Sequence, residues 1–362
     1  MKLVIFGLTV SSSWGNGHAT LWRGLLRALA RRGVQATFFE RDVPYYAQHR
    51  DLTELPGGEL VLYRDWDSVR GQASAAVRTA DAVMVTSYCP DGRAASALAC
   101  ERGRTSVFYD MDTPVTLARL AAGERVDYLP QEGLGGFDLV LSYTGGEALV
   151  RLAQDLGARR AAPLYGHVDP DTHRPAPAEG RFRCDLSYLG TYAADRQAAV
   201  AALFAEPARL RPERRFLLGG SGYDGSFPWQ ANIFAIQHVP PPEHPAFFSS
   251  SRLTLNVTRG DMAAMGYCPS GRLFEAAACG VPLLSDNWEG LDLFLEPGRE
   301  ILLAETTADA LAALDLTDAE LARLARAARE RTLEQHTSDH RAGELLELLQ
   351  GARAPRADLE EA

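Results

Sequence analysis

Cysteine is scarce in this chain, and so is anything that would anchor it in a bilayer or wrap it around a polyanion. Five cysteines, Cys89, Cys100, Cys184, Cys268 and Cys279, are spread over 362 residues with no C-x-x-C pair. That spacing argues against a disulfide framework and against a zinc knuckle, and reduced thiols are expected. Long apolar runs are missing too. None approaches the roughly 20 residues of a spanning helix, and the N-terminus lacks the basic-then-apolar order of a signal peptide. The expectation is a soluble, cytoplasmic chain with no integral membrane segment. Lysine and arginine form no long block and the formal charge is −10, which disfavours nucleic acid or anionic membrane as the main partner and leaves a small ligand as the default.

With 46% hydrophobic residues, a chain of this length can bury a core in each of two domains. Through the first half, "LVIFGL", "VQATFFE", "ELVLY", "DAVMVTS", "TSVFYD" and "FDLVLSY" alternate with helical stretches, the pattern of repeated βα units around a parallel sheet. The pattern stops at "DPDTHRPAPAEGRFR", rich in proline and charge, and restarts with "CDLSYLG", "RRFLLGG", "FAIQHV", "RLTLNV", "VPLLSD" and "EILLA". The sequence therefore divides into a first α/β lobe (1–168), a linker (169–183), a second α/β lobe (184–336), a C-terminal helix (337–350) and a polar, flexible tail (351–362). The fold class is α/β, two doubly wound Rossmann-like lobes with a cleft between them.

"GNGHATLWRGLLRALARRG", 15–33, runs from a glycine loop into a helix. Leu21, Leu25 and Leu29 recur beside Trp22 and Leu26, Asn16 is placed as N-cap and Gly33 as the stop. Thr20 stands where a dinucleotide fingerprint has its third glycine, and Glu40 lies where that fingerprint wants an acid for the ribose. More generally, Gly15 and Gly17 allow close approach of a ligand to backbone N–H groups at a positive helix end. A second glycine turn, "FLLGGSGY" with Gly220, ends a strand of the second lobe and fits either a ligand contact or a plain tight turn.

"GYCPSGRLFEAAACGVPLLSDNWEGLDLFLEPGREILL", 266–303, is the most informative stretch. Ser270 caps a helix whose Leu273, Phe274, Ala277 and Ala278 pack inward, and Gly271, Arg272 and Glu275 share one face. Two readings stay open. A carboxylate there accepts both hydroxyls of a ribose while Gly271 and the helix start take a diphosphate, or Arg272 and Glu275 form an i,i+3 surface ion pair. "VFYDMDTP" also divides. Asp110 and Asp112 have the spacing of a divalent-metal D-x-D pair, or Asp112 or Thr113 caps a helix with Pro114 in its first turn. His167, His238 and His244 show no metal-ligand spacing.

The phrase "RLFEAAACGVPLLSDNWEGLDLFLEPGREILL" resembles the donor-nucleotide segment of GT-B glycosyltransferases, in detail the group related to the spore-maturation protein CgeB. The resemblance extends weakly to "DLSYLGTYAADRQAAVAAL" and to "LYGHVDPDTHRP". It implies a metal-independent glycosyltransferase, without cofactor, whose second lobe binds a nucleotide diphosphate sugar and whose first lobe binds a small-molecule, glycan or protein acceptor. Glu275 would then bind the ribose, Arg196 the diphosphate, Gly190 would allow close approach, and His18 would be the base that activates the acceptor, with Asp110 lining the acceptor side. Tyr267 departs from the family, standing eight positions before Glu275 where retaining members often carry a first glutamate. A nucleotide-sugar epimerase or hydrolase and a non-catalytic nucleotide-sugar binder are the rivals.

Overall fold

The computed structural model describes residues 1–101 and 103–353. Most of the expected tail, 354–362, lies outside the described residues, while Gly351 to Arg353 continue the last helix. Thirteen strands form two sheets among the described residues. The first holds β1 (Lys2–Gly7), β2 (Gln35–Arg41), β3 (Gly58–Tyr63), β4 (Ala82–Thr86), β5 (Thr105–Asp110), β6 (Leu139–Ser142) and β7 (Ala161–Pro163), in the order β3-β2-β1-β4-β5-β6-β7. The second holds β8 (Cys184–Leu189), β9 (Phe216–Gly219), β10 (Ile233–Ile236), β11 (Ser251–Asn256), β12 (Leu283–Ser285) and β13 (Leu302–Leu303), in the order β10-β9-β8-β11-β12-β13. Neighbouring strands pair in parallel, with Ile5 opposite Phe38 and Met84, for example.

Helices cover both faces, so the central strands are apolar without interruption: every residue of β4 and of β5 is buried. Side chains still alternate. Leu3 and Ile5 enter one core, Val4 and Phe6 the other. The helices that matter for the site are α1 (Gly17–Arg31), α2 (Thr113–Ala121), α3 (Gly271–Ala278), α4 (Asp318–Gln335) and α5 (Ser338–Arg353). In α1 the expected stripe of Leu21, Trp22, Leu25, Leu26 and Leu29 is buried, and Asn16 accepts the His18 amide at 3.1 Å. The chain ends by returning to the first lobe. Ala342, Leu345 and Leu349 of α5 pack into the core beneath α1, and Arg27 of α1 reaches Asp169 and Thr172 of the linker, both at 2.7 Å.

Strand order reverses between β1 and β4 in the first sheet and between β8 and β11 in the second. Ligands of doubly wound sheets sit at the carboxyl ends of strands at such switch points. Here the two crevices face each other. No helix among the described residues is long and apolar enough to cross a membrane.

Candidate functional site

The loops after β1, β4, β5, β8, β9 and β11 line one interlobe cleft of about 510 Å³. Gly15, Gly17, His18, Gly190, Arg196, Gly220, Ser270, Gly271, Arg272 and Glu275 all reach its wall. The structure thus brings together residues from four separate stretches of sequence.

The first-lobe loop is held by two carboxylates. Glu40, only 1% exposed, accepts from the Thr9 and Ser11 hydroxyls and from the Val10 and Ser11 amides at 2.5–3.0 Å. Its oxygens are therefore spent on the loop, which overturns the expectation of a ribose contact. Asp51 accepts from the Ser13 amide and hydroxyl and from both terminal nitrogens of Arg23. Pinned this way, the loop turns at Gly15 with φ +60 and carries His18 into the cleft, while Gly17 faces open space.

His18 Nε2 lies 3.7 Å from Asp112 Oδ1. Burial alone would lower the basicity of this imidazole, but the Asp112 carboxylate, with Asp110 behind it, outweighs burial, and the net shift is upward from the ordinary value. Of the two aspartates, Asp112 lines the cleft and Asp110 does not. Asp110 is fully buried at the end of β5 and accepts the Asp112 amide at 3.1 Å. Its placement on the acceptor wall is corrected accordingly, because β5 ends at this residue and the chain then turns into α2. Burial lifts the Asp110 carboxyl to about 6, and its Oδ2 has no partner. Asp112 occupies the N-cap position of α2 with Pro114 in the first turn, but its side chain makes no cap bond and turns to His18 instead.

In the second lobe, Gly190 and Gly220 both stand where a side chain would crowd the turn, Gly190 against the Tyr188 hydroxyl at 2.9 Å and Arg196 Nη2 at 3.1 Å. A Cβ on Gly220 would sit 2.1 Å from the Gly190 carbonyl oxygen, and Gly220 has φ +152. Arg196 folds over this turn. It donates from Nη2 to the Thr191 carbonyl, lies 5.9 Å from the centre of the Tyr188 ring, and has a buried Nε without a partner.

Ser270 caps α3 as expected, accepting the Arg272 amide at 3.3 Å. The Arg272–Glu275 ion pair forms, yet it is no solvated surface pair. Glu275 is 4% exposed. His244 Nδ1 lies 3.8 Å and His173 Nε2 4.0 Å from its oxygens, and the two imidazoles are 3.2 Å apart. Burial lowers the pKa of both, and the Arg272 charge lowers each further, against the upward pull of the Glu275 carboxylate on His173. These three side chains lie close enough to hold a metal ion, and Arg272 stands beside them, donating to Glu275 and lying 3.3 Å from His244 Nδ1. His244 lines the cleft, and neither it nor His173 was given a function by sequence.

Tyr267 is turned away from the cleft. With φ +49, it lies where Cβ atoms on Gly146 and Gly290 would come within 2.5 and 2.4 Å of its ring, and its hydroxyl donates to Glu289 at 3.3 Å. Its carbonyl accepts the Gly145 amide at 3.0 Å, so it joins the lobes. At the cleft mouth Trp14 stacks on His49, centroids 4.0 Å apart, and meets His238 of the second lobe at 4.6 Å. His167 is a core residue whose ring nitrogens face the Tyr165 and Leu21 carbonyls.

Residues 196–347 match a family model described as glycosyl transferase-like. No curated protein sequence matches the chain. Among solved structures, sucrose-phosphate synthase from Thermosynechococcus elongatus is similar at 15% identity and TM-score 0.68, covering 97% of this chain and 99% of that one. The Anabaena protein HepE, solved in complex with UDP-glucose, is similar at 13% identity and TM-score 0.67 over 97% and 100% of the two chains. A trehalose-6-phosphate synthase is similar at 10% identity and TM-score 0.64, with 97% and 99% covered. With its two parallel sheets facing across a cleft, the chain has the GT-B fold, and its second lobe carries the glycosyl transferase-like sequence.

Proposed function

We propose that the protein is a glycosyltransferase that takes a sugar from a nucleotide diphosphate donor without a metal and passes it to an acceptor hydroxyl. One observation carries this reading: a buried carboxylate, Glu275, stands one turn into a helix that starts in the cleft, and a histidine–aspartate pair faces the same cleft from the opposite lobe. Glu275 accepts the ribose hydroxyls, and the start of α3 with Arg196 takes the diphosphate. UDP-glucose, bound by the HepE neighbour, is the first donor to test. The resemblance of 272–303 to the CgeB group supports the same assignment.

With Nε2–H held toward Asp112, His18 keeps a basic lone pair on Nδ1. It takes the acceptor's hydroxyl proton as that oxygen bonds to the anomeric carbon. The bond from that carbon to the diphosphate breaks, and its electron pair leaves on the phosphate oxygen, where Arg196 and the amides at the start of α3 stabilise the added charge. Five unpaired cysteines fit a reducing, cytoplasmic setting.

A thermal-shift titration in EDTA with nucleoside diphosphates and nucleotide sugars tests the reading, followed by product analysis with and without acceptor. Stabilisation and transfer support it. Release of free or isomerised sugar without acceptor favours a hydrolase or epimerase, tight binding with no turnover a non-catalytic binder, and no stabilisation by any nucleotide refutes it.

A further inference from the structure

We propose that the first-lobe wall of the cleft selects an uncharged acceptor that presents a flat apolar ring beside its reacting hydroxyl, and rejects a phosphorylated one. The inference rests on the glycosyltransferase reading and concerns the half of the cleft that the donor does not fill.

Four loops each bring one side chain to the first-lobe side of the cleft: Leu8 after β1, Tyr46 after β2, Tyr88 after β4 and Met111 after β5, the last also packed into the core. The Tyr88 ring centre lies 6.4 Å from that of His18 and 5.2 Å from that of Tyr128 behind it. Its backbone is at φ +63, a conformation a bulky residue adopts only where the surrounding fold imposes it, so the ring is aimed and fixed. Aromatic faces of this kind pack offset against another ring. A sugar's or an aryl group's apolar face fits them.

The charges point the same way. On the first-lobe wall the carboxylate among the described residues is Asp112, with Asp110 buried behind it, and an acceptor phosphate would be repelled by both. The arginines that hold the loop after β1 are already committed behind the wall. Arg23 donates to the Val10 carbonyl and to Asp51, and Arg50 donates to the Ser11 hydroxyl and to Asp42. The arginines that do line the cleft, Arg196, Arg259 and Arg272, stand on the second lobe. Arginine charge is thus placed for the donor diphosphate, and the first-lobe side sets the Asp112 carboxylate among aromatic, aliphatic and polar side chains with no arginine or lysine.

Calorimetric titration of the UDP-saturated full chain with p-nitrophenyl β-glucoside and with glucose 6-phosphate tests this. The aryl glucoside is expected to bind at least about tenfold more tightly. Tyr46→Ala should weaken it by about tenfold, the scale of one lost ring contact with its buried area, with UDP affinity unchanged. Tyr88→Asn, in which asparagine tolerates the same backbone conformation, should do likewise. Equal or tighter binding of glucose 6-phosphate, no detectable binding of the aryl glucoside, or unchanged affinity in both folded variants would overturn the proposal. Failure of UDP itself to bind would instead refute the underlying reading.

Discussion

Replacing Glu275 by glutamine keeps the side-chain volume and one acceptor oxygen while removing the charge, so it isolates what the carboxylate contributes. In the free protein that carboxylate is 4% exposed and accepts from Arg272, with His244 and His173 at 3.8 and 4.0 Å. If a ribose diol donates to it when nucleotide binds, the variant loses hydrogen bonds to a charged group, worth about 1.5–3 kcal/mol. At about 1.4 kcal/mol per decade, UDP affinity should fall roughly tenfold to a hundredfold. Folding stability should fall as well. Breaking a fully buried ion pair costs about 3–5 kcal/mol, but the Arg272 side chain is 24% exposed and water recovers part of its solvation, so about 1–2 kcal/mol is expected. Calorimetric titration with UDP, run beside a thermal melt, reads both quantities. A variant that still unfolds cooperatively and binds UDP with wild-type affinity would refute the donor-site assignment, because Glu275 would then be only the partner of Arg272.

His18→Ala should lower kcat by about 10² to 10⁴ with UDP affinity little changed, and steady-state kinetics beside calorimetry would expose a structural role as equal losses in both. Asp112→Asn should move the acid limb of the kcat/KM profile to lower pH. The base works deprotonated and its pKa is raised above 6.5 by the aspartate, so activity rises as pH climbs through that raised value, and removing Asp112 leaves burial free to lower it; an unmoved limb would detach the pair from the chemistry. Glu40→Ala should destabilise the first lobe by about 3 kcal/mol or more, since it strands the donors of Thr9, Val10 and Ser11 at 1–3 kcal/mol each. A melt within a degree of wild type would contradict that account of the loop.

Local pattern carried a good deal of this structure. The α1 stripe was legible because leucines at helical spacing have to share a face, and the parallel strands were legible because burial on both sides demands unbroken apolar runs. Arg272 and Glu275 were placed together by their three-residue spacing, but that spacing says nothing of solvent, and the burial of the pair comes from His173 in the linker and His244, 71 residues further on. Asp112 stands at the helix start as its spacing to Pro114 implied, but it and not Asp110 lines the cleft, for a local reason. Alternation along β5 stops where the strand stops, so the residue that faces the cleft is set by the turn into α2. Glu40 had the right distance from the glycine loop for a ribose contact; the competing signal was the run of hydroxyls, Thr9 and Ser11 to Ser13, which needs an acceptor once buried.

The two walls of the cleft differ in how they are encoded, and this accounts for where recognition by sequence ends. Ser270, Gly271, Arg272 and Glu275 lie within six positions on one capped helix, so the chemistry and the fold constrain the same short string. A family model therefore reaches this lobe, matching from residue 196 to 347. The opposite wall draws Leu8, Tyr46, Tyr88 and Met111 singly from four loops, with His18 and Asp112 lying 94 positions apart in the chain. Leu8, Tyr46 and Tyr88 stand on loops at strand ends, where binding groups sit while the sheet carries stability, whereas Met111 also packs into the first-lobe core. A first-lobe wall built this way leaves no motif in the sequence, and its side chains come together only when the fold brings the loops to one cleft.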